Sequence, residues 1–214
     1  MGIYTLVFTT VFRYNIAKYP VFLLSGLLAW TWFTEAIATS TTSVISGAGF
    51  IKSSIFPSEI LPAVTVATAM MNFVFALPLL FIFLAIFHVD MGWALLALPV
   101  IMVVHFILAL GIASIVATYN VFFRDLQYLV NHILMALFFL TPVLYDLGSI
   151  GGRYQTIMRL NPLATLISSY RSIFFYNQFP GWVNLGYLFL IALVLLWVGT
   201  WVFQNHKEVF AEYI

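Results

Sequence analysis

The sequence predicts an all-α, polytopic membrane helical bundle, and three observations carry that reading. Only 7% of the 214 residues are charged, against about 25% in an ordinary soluble domain. Hydrophobic residues make up 64% and mean hydropathy is +1.07, so charged side chains cannot cover a soluble surface of this size. The apolar residues fall in long unbroken runs near the roughly 20 that a helix needs to cross a bilayer, not in the short alternating segments of a barrel. Helices also satisfy their own backbone groups within lipid. The same numbers exclude a soluble enzyme, a nucleic-acid binder and a disordered chain. A net charge of +1 offers no field for DNA or RNA. The absence of Cys removes disulfides, thiolate metal sites and thiol redox chemistry. The composition describes one transmembrane domain over 1–214.

Residues 1–12 are apolar but too short to span, and they lack the basic start and small-residue cleavage site of a signal peptide. They read as a truncated first span. A polar break at Arg13, Asn15, Lys18 and Pro20 precedes a span over 21–45. The next break, 46–61, is rich in Gly, Ser and Pro, and leads to a span over 62–87. A tight turn at His88–Met91 introduces 92–118, and the polar pair Arg124 and Asp125 separates that from 127–145. Residues 146–181 are too long for a turn and too apolar for a solvated loop. Two short re-entrant helices between the breaker pairs Asn161-Pro162 and Phe179-Pro180 fit that composition, with an external loop as the plainer alternative. The last span is 182–203, followed by His206, Lys207, Glu208 and Glu212. The expectation is five full spans and one truncated one.

Basic residues vote on orientation. With the start of the chain inside, the inner side holds Lys52, Arg124 and Lys207, and the outer side Arg13, Lys18, Arg153, Arg159 and Arg171. Taken alone, that count favours the reverse orientation.

Catalytic templates are absent. The four histidines lie far apart, and no H-E-x-x-H or G-x-S-x-G occurs. Gly47 to Ser53 superficially resembles a phosphate loop, but Ile51 stands where Gly must precede the Lys. Ionisable groups inside spans are costly and therefore functional candidates. Glu35, beside Thr31, Thr34 and Thr39, indicates a wet cavity or a protonated acid, with a polar group satisfied by a neighbouring helix as the plainer alternative. Asn72, His105, Asn131 and His132 fit polar groups satisfied by a neighbouring helix, and one mid-span acid does not make a proton relay. Aromatic residues make up 18%, most of them lipid-facing or interfacial. Trp30, Trp32, Phe33, Phe138, Phe139 and Tyr145 lie near span middles or ends, where flat rings can stack on sugar C–H groups. With Glu35 they form the candidate substrate path.

Five passages, in order along nearly the whole chain, together resemble the permease subunits of ABC-2 type polysaccharide exporters, the family that exports O-antigen, capsule and teichoic acid. They are Phe22-Leu-Leu-Ser-Gly-Leu-Leu28 with Trp30; Ile51-Lys52 and Phe56-Pro57-Ser58-Glu59-Ile60-Leu61-Pro62; Asn120-Val-Phe-Phe-Arg-Asp125; Phe139-Leu-Thr-Pro-Val-Leu-Tyr145; and Asn161-Pro162-Leu163 with Tyr170-Arg171. The resemblance implies six spans, cytoplasmic termini and a preceding amphipathic helix, which this chain lacks along with half of the first span. Basic residues in that missing piece account for the skewed count, so the resemblance sets the orientation: 46–61 and Arg124–Asp125 inside, 146–181 outside.

The resemblance further implies a permease homodimer with two ATPase subunits in the bacterial inner membrane, carrying a lipid-linked polysaccharide. ATP and Mg are used by the partner, and no cofactor is bound by this chain. A six-helix bundle fills its own centre, so a hydrated polymer needs a path between two copies. The segment 46–61 is then the ATPase-coupling lever: Gly47 and Gly49 permit a sharp turn, Lys52, Phe56 and Pro57 belong to the matching motif, and Ser58 caps a short helix carrying Glu59. Arg124 and Asp125 pair at the inner mouth. Pro142 kinks the outer end of its span. Residues 146–181 form an outer gate in which Arg153, Arg159 or Arg171 meets a diphosphate or gate carbonyls, beside Asn161 and Pro162. The rival readings are an ABC-2 exporter of a lipid or drug and an intramembrane enzyme acting on lipid-linked sugars.

Overall fold

The computed structural model describes residues 18–49, 57–146 and 160–213. The first helix, α1 (Tyr19–Ser46), starts just after Lys18, whose φ of 59° turns the chain, and Pro20 sits in the first turn where its missing N–H costs nothing. Its 28 residues include many hydroxyls that nevertheless suit a membrane. Thr31 donates to the Leu27 carbonyl, Thr39 to Glu35, Thr41 to Ile37 and Ser43 to Ser40. Each hydroxyl is thereby satisfied within its own helix.

Next comes α2 (Ile60–Ile86), apolar apart from Thr65, Thr68 and Asn72, with Pro78 inside it. It ends where His88 adopts a φ of 49° and Val89 N–H returns to the Leu84 carbonyl. A 3₁₀ turn, Trp93–Ala97, runs into α3 (Leu98–Phe122). The remaining helices are α4 (Leu126–Leu140), α5 (Pro162–Phe174) and α6 (Trp182–His206), followed by a 3₁₀ turn, Lys207–Val209, and the single-turn α7 (Phe210–Tyr213).

Among the described residues, four helices are long and apolar enough to cross a membrane: α1, α2, α3 with its 3₁₀ lead-in, and α6. The fifth full span expected falls short of that length. The expected span 127–145 is a helix of 15 residues, about 22 Å long, against a hydrocarbon core of about 30 Å. Helix geometry stops at Leu140, just before the residue that precedes Pro142, a position where proline disfavours the α region. Pro142 therefore lies beyond the helix and kinks nothing. Within 146–181, α5 is a single 13-residue helix with Leu163, Leu166, Ile167, Tyr170, Ile173 and Phe174 buried, which replaces the external-loop alternative there. Between the two breaker pairs the described residues hold this one helix where two were expected, because the chain leaves helix geometry after Phe174. The truncated first span, Lys52, Phe56, Arg153 and Arg159 lie outside the described residues.

The chain forms two compact units. Unit A comprises 18–31, 73–101, 138–146 and 160–186 of the described residues. Its core gathers around α5, where the Tyr170 and Phe174 rings meet Phe73 and Phe81 edge-on at 5.5 and 6.2 Å between centroids. Unit B comprises 32–49, 57–72, 102–137 and 187–213. There α3 and α6 cross at backbone distance: a Cβ on Gly111 would lie 2.5 Å from the Leu195 carbonyl carbon, and one on Gly199 would overlap the Gly111 carbonyl. Small residues at such crossings let membrane helices approach closely. Outward faces of α2 and α6 carry Phe75, Val183 and Trp197, as lipid contact requires.

Candidate functional site

In unit A, the expected gate arginine is a structural centre. Arg171 is only 3% exposed, and its Nη1 donates to the carbonyls of Pro142 and, at 3.0 Å, Tyr145, while Nη2 donates to Val143. Its Cζ lies 3.7 Å from the centre of the Phe22 ring. Gly26 makes room: a Cβ there would sit 2.9 Å from Nη2. One guanidinium thus closes the turn after α4, whose carbonyls have no further helix to bond with. Its donors are directed to carbonyls rather than to solvent or a diphosphate.

Asn161 and Pro162, expected as chain breakers, start a helix. The Asn161 side chain accepts from Leu163 N–H at 3.0 Å and donates to the Leu140 carbonyl at 3.5 Å, with Pro162 in the first turn. That cap joins the start of α5 to the end of α4. The Tyr145 hydroxyl donates to the Phe139 carbonyl at 3.1 Å, and Tyr19 holds the Leu144 carbonyl at 3.0 Å. Beyond α5, burial and the Asp146 carboxylate push the Tyr176 phenol above its ordinary value, with Arg171 opposing. The phenol therefore stays neutral at physiological pH.

The aromatic candidates separate by burial. Trp30, Trp32 and Phe33 are buried, with 6%, 1% and 3% of their surface exposed. In unit A, Trp30 meets Phe138 at 5.8 Å between centroids. In unit B, Trp32 packs on His105 at 3.8 Å and Phe33 lies 6.2 Å from the same ring. Phe139, at 61%, presents its ring outward.

The polar candidates of unit B lie along α1 and α2. Asn72, itself exposed, donates to the Glu35 carboxylate at 2.6 Å, and the hydroxyls of Ser40 and Thr65 hydrogen-bond each other. The two links fix an antiparallel register in which residues of α1 and α2 whose numbers sum to about 106 lie opposite. Thr39 and Thr68, both exposed, fall one turn from the Glu35–Asn72 pair on this register. The result is a hydrogen-bonding seam on the outside of two membrane-length helices. Sequence reasoning singled out Glu35 and Asn72 separately; the signal joining them, their register across α1 and α2, exists only in the packed structure.

Pro57, Ser58 and Glu59 form the turn into α2, not a short helix of their own. The Pro57 and Ser58 carbonyls accept from Ile60 and Leu61 N–H at 3.0 and 3.1 Å. Glu59 forms an ion pair with Lys207 at 2.8 Å, a partner the sequence reading did not supply. Gly47 packs against the tip of the Leu61 side chain, 2.6 Å from where a Cβ would lie, whereas Gly49 faces open space. Arg124 and Asp125, both exposed, do not pair with each other. They form the turn between α3 and α4, with the Asp125 carbonyl accepting from Tyr128 N–H. Asp125 also borders an open apolar groove with Tyr119, Phe123 and Leu129.

Among the described residues the site therefore consists of buried polar clasps and an outer polar seam on apolar helices. Residues 1–175 match the family model described as ABC-2 type transporter. The chain belongs to that family. It is 34% identical over 216 residues to the O-antigen export system permease protein RfbA of Myxococcus xanthus, covering 100% of this chain and 83% of that protein. It is 33% identical over 212 residues to the Klebsiella pneumoniae protein of the same name, covering 98% and 81%. Similarity extends to the polysialic acid transport protein KpsM of Escherichia coli, at 24% over 201 residues, covering 89% and 74%. As an ABC-2 permease, the chain is a multi-pass transport subunit and not the catalyst of the system.

Proposed function

We propose that this ABC-2 permease is the membrane-spanning subunit of an ATP-driven exporter that moves a lipid-linked polysaccharide across the bacterial inner membrane. The relationship to an O-antigen export permease over the full length of the chain carries the reading. It favours polysaccharide over the lipid- or drug-export alternative. The partners are a second copy of the chain and two ATPase subunits that use ATP and Mg. Both native termini and 46–61 face the cytoplasm, with α5 as a short re-entrant helix before α6.

The Glu35–Asn72 seam supports a hydrated path. A carboxylate at the lipid-facing surface of a span costs about 2.5–3.5 kcal/mol, a cost removed where water and sugar hydroxyls replace lipid. Glu35 and Asn72 then exchange hydrogen bonds with successive sugars, and Phe139 offers a stacking face. Trp30, Trp32, Phe33, Phe138 and Tyr145 complete the proposed set of path residues. Lys52, Phe56, Pro57, Ser58 and Glu59 receive the push of the ATPase, and Arg124 and Asp125 mark the inner mouth. The outer gate is the turn 141–145 held by Arg171, with Pro142, Asn161 and Pro162 shaping it and Arg153 and Arg159 available to a diphosphate.

The test is export of polymer into proteoliposome lumens by the permease–ATPase complex. Glu35→Leu and Asn72→Leu are expected to leave assembly intact and depress export. Undiminished export by both variants rejects the seam as the path, and failure of the wild-type complex to move polysaccharide rejects the cargo.

A further inference from the structure

The segment after α6 lies beyond residues 1–175 that match the family model, and it meets both ends of the coupling segment. Lys207, the first residue of the 3₁₀ turn, holds the Glu59 carboxylate at 2.8 Å, at the exit of 46–61. Phe210, at the start of α7, is fully buried in a cluster with Val44, Ala117, Val121 and Phe203, and Val44 is two residues before the segment begins. Its ring meets Phe203 at 5.2 Å, and Phe122 meets Tyr213 at 5.0 Å. Between these contacts the two strands of the neck touch, with Gly47 against Leu61. The whole arrangement lies within unit B.

We infer that Lys207–Tyr213 is a clamp that fixes the neck of the coupling segment, Phe210 anchoring the α1 side and Lys207 the α2 side. A lever whose neck gives way absorbs the push as local bending, whereas a clamped neck passes it to α1 and α2 as rigid-body motion. The ion pair contributes little to global stability, because both side chains are 42% exposed. Lys207 is therefore a positioning residue. This inference rests on the coupling role proposed above, and the test separates the two.

The chain lacks Cys, so Ser58→Cys, at a position 7% exposed beside the pair, provides a single probe. In the full-length protein, Lys207→Glu should accelerate labelling by a water-soluble maleimide about fivefold, and adding Glu59→Lys should return the rate toward wild type. Lys207→Arg should label like wild type. An unchanged rate in Lys207→Glu overturns the clamp, and this arm needs no ATPase. In the ATPase complex, Lys207→Glu should retain the bound ATPase but lower polymer exported per ATP hydrolysed. Unchanged export per ATP alongside accelerated labelling overturns its part in coupling. A wild-type chain that binds no ATPase would instead defeat the coupling reading, with the labelling arm still reporting on the neck.

Discussion

A single guanidinium decides the shape of the turn after α4. Arg171 supplies donors to three carbonyls, and each buried carbonyl left without a partner costs about 1–3 kcal/mol. Arg171→Ala should therefore lower the melting temperature of the detergent-purified protein sharply. Arg171→Lys should fall between that and wild type, because an ammonium keeps the charge but not the planar fork. Gly26→Ala should also destabilise, since the guanidinium cannot retreat from the new methyl without releasing its carbonyls. Melting points of the three variants check the order, and a Gly26→Ala protein as stable as wild type would contradict the close fit. The sequence marked Arg171 as important and Gly26 only as part of a motif. A glycine's reason lies in the atoms opposite it, 145 residues further along the chain, and no local pattern encodes that distance.

Spans such as α2 and α6 were legible because continuous apolar runs of bilayer length have no other stable home. The exception was α4. Its run of apolar residues continues past Leu140, but the chain turns where Pro142 disfavours helix and where Asn161 and Arg171 collect the free carbonyls. Asn161→Ala should cost about 1 kcal/mol through loss of the α5 cap, seen as a small drop in melting temperature; Asn161→Asp should retain most of it. The contact of α3 with α6 is more demanding. Gly199→Val places a branched side chain against the Gly111 carbonyl, and overpacking of this kind costs about 1–3 kcal/mol or more. Expression as aggregated protein, or a lowered melting point, is the expected result. Gly186, on the same helix with nothing near it, should accept Val far better.

At the scale of the molecule, two compact units share the helices of this permease: α1, α2, α3, α4 and α6 each contribute residues to both. Orientation is a property of this scale, and the count of basic residues opposed the resemblance. Single cysteines decide between them: Ser53→Cys should react only with reagent on the cytoplasmic side and Asp90→Cys only from outside, the reverse pattern inverting the proposed topology. By itself the sequence determined the membrane class, the helical architecture and the ABC-2 family, because composition and run length alone set the solvent a chain can occupy and the motifs lie in linear order. Tertiary structure alone decided that α4 stops short, that Arg171 is a clasp, that Trp30, Trp32 and Phe33 face inward while Glu35 meets Asn72, and that Lys207 reaches Glu59. In a helix that is apolar on every side, hydrophobic periodicity vanishes, so which face is covered depends on neighbours distant in the chain and is written only in how they pack.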